Sequence, residues 1–265
     1  MTTHVFIDGF NLYNGVAAIL DCKWVNLRKY LVREYPDDDI ERIVFATSMV
    51  DGPNVVNQRT YLDALKSVSV EPVYGKFESR ECRCDVSGCN FHVRKYHRKT
   101  EKRTDALLAS LMVKAAALKE CEKIVIVSAD SDFIPPVQIV RSLGVEAHVL
   151  LPVLPDEYWD ARTIAKGSLG NRGAYAKELR QAATGRKNLN LTLFADSQFE
   201  KTLVNGKEQI EIPETWRIAP FNVYSRMLRD IEREAKRVDN QWKTARELEH
   251  MHGDEIKRRL GLLPK

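Results

Sequence analysis

Five short runs rich in β-branched residues punctuate the chain: "HVFID" (4–8), "RIVFATS" (42–48), "VEPVYGKF" (70–77), "KIVIVSA" (123–129) and "VEAHVLL" (145–151). Longer stretches of helical spacing separate them. Strands alternating with helices predict an α/β fold: a doubly wound, mainly parallel five-stranded sheet with crossover helices on its faces. The intervening segments agree. "TDALLASLMVKAAAL" sets Leu107, Leu108, Leu111, Met112 and Ala115 on one helical stripe, which reads as core. Pro53 suits the first turn of the helix in "PNVVNQRTYLDALKS", and "FIPPVQIVRSLG" opens on Pro135 and Pro136 and closes on Gly144. In such a sheet, ligands are expected beyond the carboxyl ends of the strands.

That edge is where the acids fall. Asp8 ends the first run, Asp130 and Asp132 end the fourth, which is expected beside the first, and Asp105 opens the helix leading into the fourth. Four carboxylates from three distant segments should therefore meet at one sheet edge. Crowded like charges raise one another's pKa, and a divalent cation relieves that cost. Oxygen-only donors favour Mg²⁺ or Mn²⁺ over Zn²⁺, and these ions commonly bind a substrate phosphate. Phosphodiester hydrolysis by a metal-activated water is the reaction this chemistry suits. Each acid also has a plainer reading: Asp105 can complement a helix dipole, Asp132 can cap the helix at Pro135, and Asn11 and Asn14 are good turn formers. Asp8 has the least to gain from such a role, because an acid directly after "VFI" is of no use to a core.

Charge along the chain is uneven. The 41 Lys and Arg against 37 Asp and Glu give only +4, yet "RKYHRKTEKR" (94–103) holds six Lys or Arg and one Glu. This run precedes Asp105, so Arg94, Lys95, Arg98, Lys99, Lys102 and Arg103 are candidate phosphate contacts, with Lys102 the first choice. Tyr96 and Phe91 interleave with them and can stack on unpaired bases or anchor a loop to the core. The bland alternative is a solvated basic loop. Just before it, "CRCDVSGCNFHVRKYH" gathers Cys82, Cys84, Cys89, His92 and His97 within sixteen residues, a candidate zinc set of three thiolates and one imidazole; the alternative is reduced thiols in a loop. An odd total of five cysteines argues against a disulfide framework.

At 44% hydrophobic residues over 265 positions, the chain can build a sizeable core. No apolar run is long enough to span a bilayer, and the first strand starts too early to leave space for a signal peptide, so a cytoplasmic protein without membrane contact is expected. "GSLGNRG" and "TGRKNLN" read as exposed loops. The expected division is a main domain over 1–217, carrying the Cys/His-rich insertion at 80–97, and a charged helical extension over 218–265 that can pack on the domain, pair with a second copy or a protein partner, or touch nucleic acid.

Three motifs, "FIDGFNLYN", "EKRTDALLASLM" and "VSADSDFIPPV", in that order, resemble the NYN domain, a branch of the PIN-like metal-dependent ribonucleases. "LFADSQFEKTLVNGKEQIEIPETW" (193–216) is similar to the tail of some bacterial members, so the resemblance covers roughly 3–217. It implies a five-stranded parallel sheet, Mg²⁺ or Mn²⁺ at the acids, and cleavage of RNA, usually single-stranded. Asp8, Asn11, Asp105, Asp130 and Asp132 stand at the family's functional positions. Two departures stand out. Arg103-Thr104 precedes Asp105 where a Gly and a small or β-branched residue are common, and Ala129 occupies a position that is often Gly, a swap that requires negative φ there.

The functional expectation is a metal-dependent endoribonuclease. The runner-up is an RNA-binding module of little or no activity, acting as an adaptor in a larger complex. A haloacid-dehalogenase-type phosphatase needs an Asp at position 10, where this chain has Phe10, and no P-loop or dinucleotide fingerprint follows any strand.

Overall fold

The computed structural model describes residues 1–17, 22–52, 54–83, 95–153, 172–205 and 208–216. Strand β1 (Thr2–Asp8) runs into a short helix α1 (Gly9–Leu12) and a π turn at Tyr13–Ala17. Then come α2 (Leu27–Glu34), β2 (Asp39–Thr47), α3 (Asn54–Ser67) and β3 (Val70–Tyr74). A ribbon of β4 (Lys76–Arg83) and β5 (Lys95–Lys102) leads into α4 (Thr104–Ala117), β6 (Lys123–Val127), α5 (Ile134–Ser142) and β7 (Glu146–Leu151). The remainder is α6 (Arg172–Ala182), β8 (Gly185–Asn188), α7 (Leu191–Asp196), β9 (Thr202–Asn205) and β10 (Glu208–Glu211).

Six strands form one sheet in the order β3-β2-β1-β6-β7-β8, every neighbouring pair parallel. From β1 the chain winds outward one way through β2 and β3, then returns and winds the other way through β6, β7 and β8. The switch point thus lies between β1 and β6, where Asp8 and the segment Ser128–Asp130 emerge.

Alternation along each strand feeds two cores. Val5, Ile7, Ile43 and Phe45 meet Tyr30 and Leu31 of α2 and Leu62 and Leu65 of α3 on one face. Phe6, Val44, Ala46 and Ile126 meet Leu108 and Met112 of α4 and Val137 and Val140 of α5 on the other. Each of these large side chains contributes roughly 1.5–3 kcal/mol by leaving water. Because both faces are covered, the central strands read as unbroken apolar runs. Of the expected stripe on α4, Leu108, Met112 and Ala115 are buried, while Leu107 and Leu111 are half-buried.

Three expectations are corrected. The sheet has six strands rather than five: "GRKN" within "TGRKNLN" is strand β8 at the sheet edge, paired only with β7. An edge strand with one neighbour and one solvent-facing row needs no apolar run, which is why it reads as a loop. "VEPVYGKF" is two strands broken at Gly75. The basic run is not a loop either, since residues 95–102 form β5, antiparallel to β4.

The tail is integral to the fold. Tyr30 of α2 meets Phe194 of α7 edge-on at 5.4 Å, Val25 bridges Gln198, and the Trp24 indole N–H donates to the Glu200 carbonyl at 2.9 Å. The Ser-Gln pair is buried there: the Ser197 hydroxyl donates to the Leu193 carbonyl and the Gln198 amide to that of Phe194. The extension at 218–265 lies outside the described residues. Among the described residues no helix is long and apolar enough to cross a membrane.

Candidate functional site

Asp8 is the last residue of β1 and the N-cap of α1. One carboxylate oxygen accepts the Asn11 N–H at 3.0 Å and the other accepts the Ser128 hydroxyl at 3.1 Å. Its side chain therefore stands at the switch point, held from both strands, and is only 7% exposed. Gly9 is required beside it: a Cβ there would lie 2.6 Å from the Ala46 carbonyl oxygen and 2.7 Å from the Phe45 ring.

Across the switch point, the Asn11 side-chain oxygen accepts the Ala129 N–H at 3.1 Å. The Ser128 hydroxyl accepts the Asp130 N–H at 3.1 Å, and Asp130 caps the following 3₁₀ turn by accepting the Asp132 N–H at 3.0 Å. Ala129 is not among the residues of positive φ, so the substitution for Gly is accommodated. Asp105 lies in the first turn of α4, above Leu108, on the same side of the sheet as Asp8. Asp132 is exposed and Phe133, not Asp132, precedes α5 as its N-cap.

The electrostatics bind these groups into one cluster. Burial, then the charges of Asp130 and Glu101, raise the Asp8 carboxyl to about 6, against the pull of its Asn11 and Ser128 hydrogen bonds. Burial and the charges of Asp8, Asp130, Glu101 and Asp132 raise Asp105 to about 6 as well. Among the described residues, none of the four Asp is paired with Lys or Arg. No basic side chain among the described residues, then, is paired with the cluster to neutralise it.

Glu101 is a fifth acid that the sequence reading passed over. It ends the basic run, accepts the Ser48 hydroxyl at 3.1 Å and the Thr104 N–H at 3.4 Å, and acts on both Asp8 and Asp105. The signal was available, since it is the only acid among six cations. Buried Ser48 and Ser128, just past β2 and β6, are the two hydroxyls that hold the cluster.

The all-oxygen, under-neutralised donor set fits a hard dication such as Mg²⁺ or Mn²⁺. In the arrangement present, no three His, Cys, Asp or Glu side chains among the described residues are grouped to hold a metal. Asp8 and Asp130 are turned to protein donors, whereas Asp105 and Asp132 have no side-chain hydrogen bond among the described residues.

The ribbon rises beside the cluster. Its backbone register sets Lys76 opposite Lys102, Arg80 opposite Arg98 and Arg83 opposite Lys95. Lys102 and Arg103 are exposed where β5 meets α4. Lys95, Tyr96, Arg98 and Lys99 belong to β5, and Arg94, Phe91, Cys84, Cys89 and His92 lie outside the described residues. Of the candidate zinc ligands, Cys82 pairs in register with Tyr96 while His97 is the next position, so these two occupy opposite faces of the ribbon. His97 instead has its Nδ1 3.4 Å from the Ser79 hydroxyl. One ion shared by Cys82 and His97 does not suit this register.

A family model described as the NYN domain matches residues 2–163. No curated protein matches the chain. Among solved structures, the chain is similar to a protein of unknown function from Vibrio parahaemolyticus, with 11% identity, a TM-score of 0.43, and coverage of 71% of this chain and 93% of that one. It is also similar to a U34-tRNA thiolase from Methanococcus maripaludis carrying a 4Fe–4S cluster, with 11% identity, a TM-score of 0.27, and coverage of 99% and 74%. Likenesses this loose carry no conclusion about function.

Proposed function

We propose, from the premise that this chain belongs to the NYN-domain family, that it is a metal-dependent ribonuclease acting on single-stranded RNA. The observation that carries this reading is the cluster at the switch point, where two carboxyls are raised to about 6 by burial and acidic neighbours, with no Lys or Arg paired to them among the described residues. Asp8, Asp105, Asp130 and Asp132 would hold Mg²⁺ or Mn²⁺, with Glu101 beside them. When bound, such an ion supplies an acidified water and a counter-charge for the departing oxygen.

The chain's own residues do the rest. Asn11 and Ser128 hold Asp8 and the Ala129–Asp130 backbone in one orientation, which fixes the spacing of these two acidic segments before substrate arrives. Lys102 and Arg103, exposed where β5 meets α4, neutralise flanking phosphates, and the basic composition of residues 94–103 supports a polyanionic partner.

The test is cleavage of end-labelled single-stranded RNA by the purified chain, with Mn²⁺ or with EDTA, alongside Asp8→Asn and Asp130→Asn. Cutting that requires Mn²⁺ and is lost in both variants is expected. Cutting that persists in both would refute the mechanism, and metal-independent binding without cutting would favour an RNA-binding module.

A further inference from the structure

On the opposite face of the sheet from Asp8, at the same carboxyl edge, lies a cavity of about 470 Å³. Its size falls in the range of ligand pockets, roughly 300–1,000 Å³. Phe10, Phe45, Tyr61 and Trp216 wall it. Tyr61 meets Phe45 edge-on at 6.2 Å and Trp216 at 6.0 Å. Polar groups along the lining are largely engaged: the Gln58 amide donates to Thr47 and Ser48 and accepts the Val50 N–H, and the Tyr61 hydroxyl donates to the Val25 carbonyl. Ring surface dominates the lining, with Lys23 and Asn54 adding polar groups to it.

Its position relative to the acids is the telling feature. Gly9 and Phe10 line it and directly follow Asp8; Thr47 lines it and follows Ala46, the register partner of Asp8. Phe10 also meets Phe77 of the ribbon edge-on at 5.7 Å, so α1 forms a saddle between the acid cluster, the cationic ribbon and the aromatic cavity. A phosphate-neutralising surface next to a stacking surface is the arrangement by which proteins hold unpaired nucleic acid. Trp216 comes from beyond residue 163, where the family match ends, and is held in place by Trp24 at 6.3 Å and by the Asn57–Thr215 hydrogen bond of 3.0 Å.

We infer, building on the ribonuclease reading, that this cavity seats one nucleobase of single-stranded RNA next to the phosphate at the acid cluster, stacked against Trp216 and Tyr61. The chain crosses the sheet edge over α1, with its backbone on the acid side and one base turned into the cavity. Thr215 and Trp216, beyond the family match, then complete the substrate site.

The experiment is an abasic scan. Affinity is measured in EDTA, so that nothing is cut, for a short single-stranded RNA in which one ribose at a time lacks its base. The unmodified protein should lose affinity by about tenfold at one position next to the mapped cleavage site and little elsewhere, as expected for one stacked base. Trp216→Ala should weaken the intact RNA by a similar factor and erase the position effect, whereas Trp216→Phe should keep it. A flat scan overturns the inference, and so does a position effect that survives in Trp216→Ala. Should Trp216→Ala fail to fold, the scan on the unmodified protein and on Trp216→Phe decides. A flat scan with Mn²⁺-dependent cutting intact refutes the cavity alone, while a position effect without any cutting refutes the nuclease alone.

Discussion

The side-chain oxygen of Asn11 accepts the backbone N–H of Ala129 at 3.1 Å, tying the loop after β1 to the loop after β6. Since Asn11 also donates its own N–H to Asp8, a single residue sets the spacing of two acidic segments that are more than a hundred positions apart. Asn11→Ala leaves the Ala129 N–H without its partner, at a cost of about 1–3 kcal/mol. Urea unfolding should show that loss, and RNA cleavage should fall further than the lost stability accounts for. Cleavage that tracks only the folded fraction would mean Asn11 is merely structural.

Asp8 titrates near 6 in the fold and at the usual 3.8 when exposed. Between those values the folded chain binds more protons than the unfolded one, so metal-free stability should fall as pH rises from about 4 to about 7. For Asp8 the loss is on the order of 2–3 kcal/mol, and Asp105 adds to it in the same direction. Asp8→Asn should therefore be more stable than the parent at pH 7 in EDTA and not at pH 4. Mn²⁺ should recover the parent's stability at pH 7 by binding the ionised cluster. Chemical unfolding at pH 4 and 7, with Mn²⁺ or EDTA, checks all of these; a parent stability that rises with pH in EDTA would contradict the described cluster.

Gly75 lets the base of the ribbon close on the site. A Cβ there would lie 2.6 Å from the Lys102 carbonyl oxygen and 2.7 Å from both the Glu101 carboxylate and the Ser48 hydroxyl. Gly75→Ala should displace Glu101 and cost about 1–3 kcal/mol. Glu101→Gln keeps the shape but removes one negative neighbour of Asp8 and Asp105. It should raise the Mn²⁺ concentration needed for half-maximal cleavage on the order of tenfold, as loss of a group supporting a metal site does. An unchanged Mn²⁺ requirement would place Glu101 outside the working site.

Arg103 has a φ of +82°, a conformation that favours glycine, directly before α4. This is the position where the resemblance leads one to expect Gly. Arg103→Gly should stabilise the fold by up to about 1 kcal/mol, the relief of left-handed strain being partly offset by glycine's greater freedom when unfolded. Arg103→Val, β-branched, should destabilise it. Thermal unfolding distinguishes them, and RNA affinity should fall in both because the cation is gone.

Much of this protein is determined by its sequence alone. Unbroken apolar runs such as "VFI" and "IVIV" are buried on both faces of the parallel sheet, and strand-terminal acids fall at its carboxyl edge because the chain has to turn there. Hence the class of fold, the places of β1, β2, β6 and β7, and the fall of Asp8 and Asp130 at one sheet edge follow from residue type and spacing. Only the tertiary structure decides the rest, since the deciding quantities are distances between segments remote in the chain. β8 is a strand by virtue of its neighbour β7, not its composition. Glu101 belongs to the acids although it sits in a basic run, because Gly75 and Ser48 bring β5 against the cluster. Asp8 is held near 6 by water exclusion and by charges from other segments, and Trp216 reaches the cavity because α2 and α7 pack the tail back across the sheet. Local periodicity records what each segment must bury; desolvation and mutual repulsion arise only once those segments share a space.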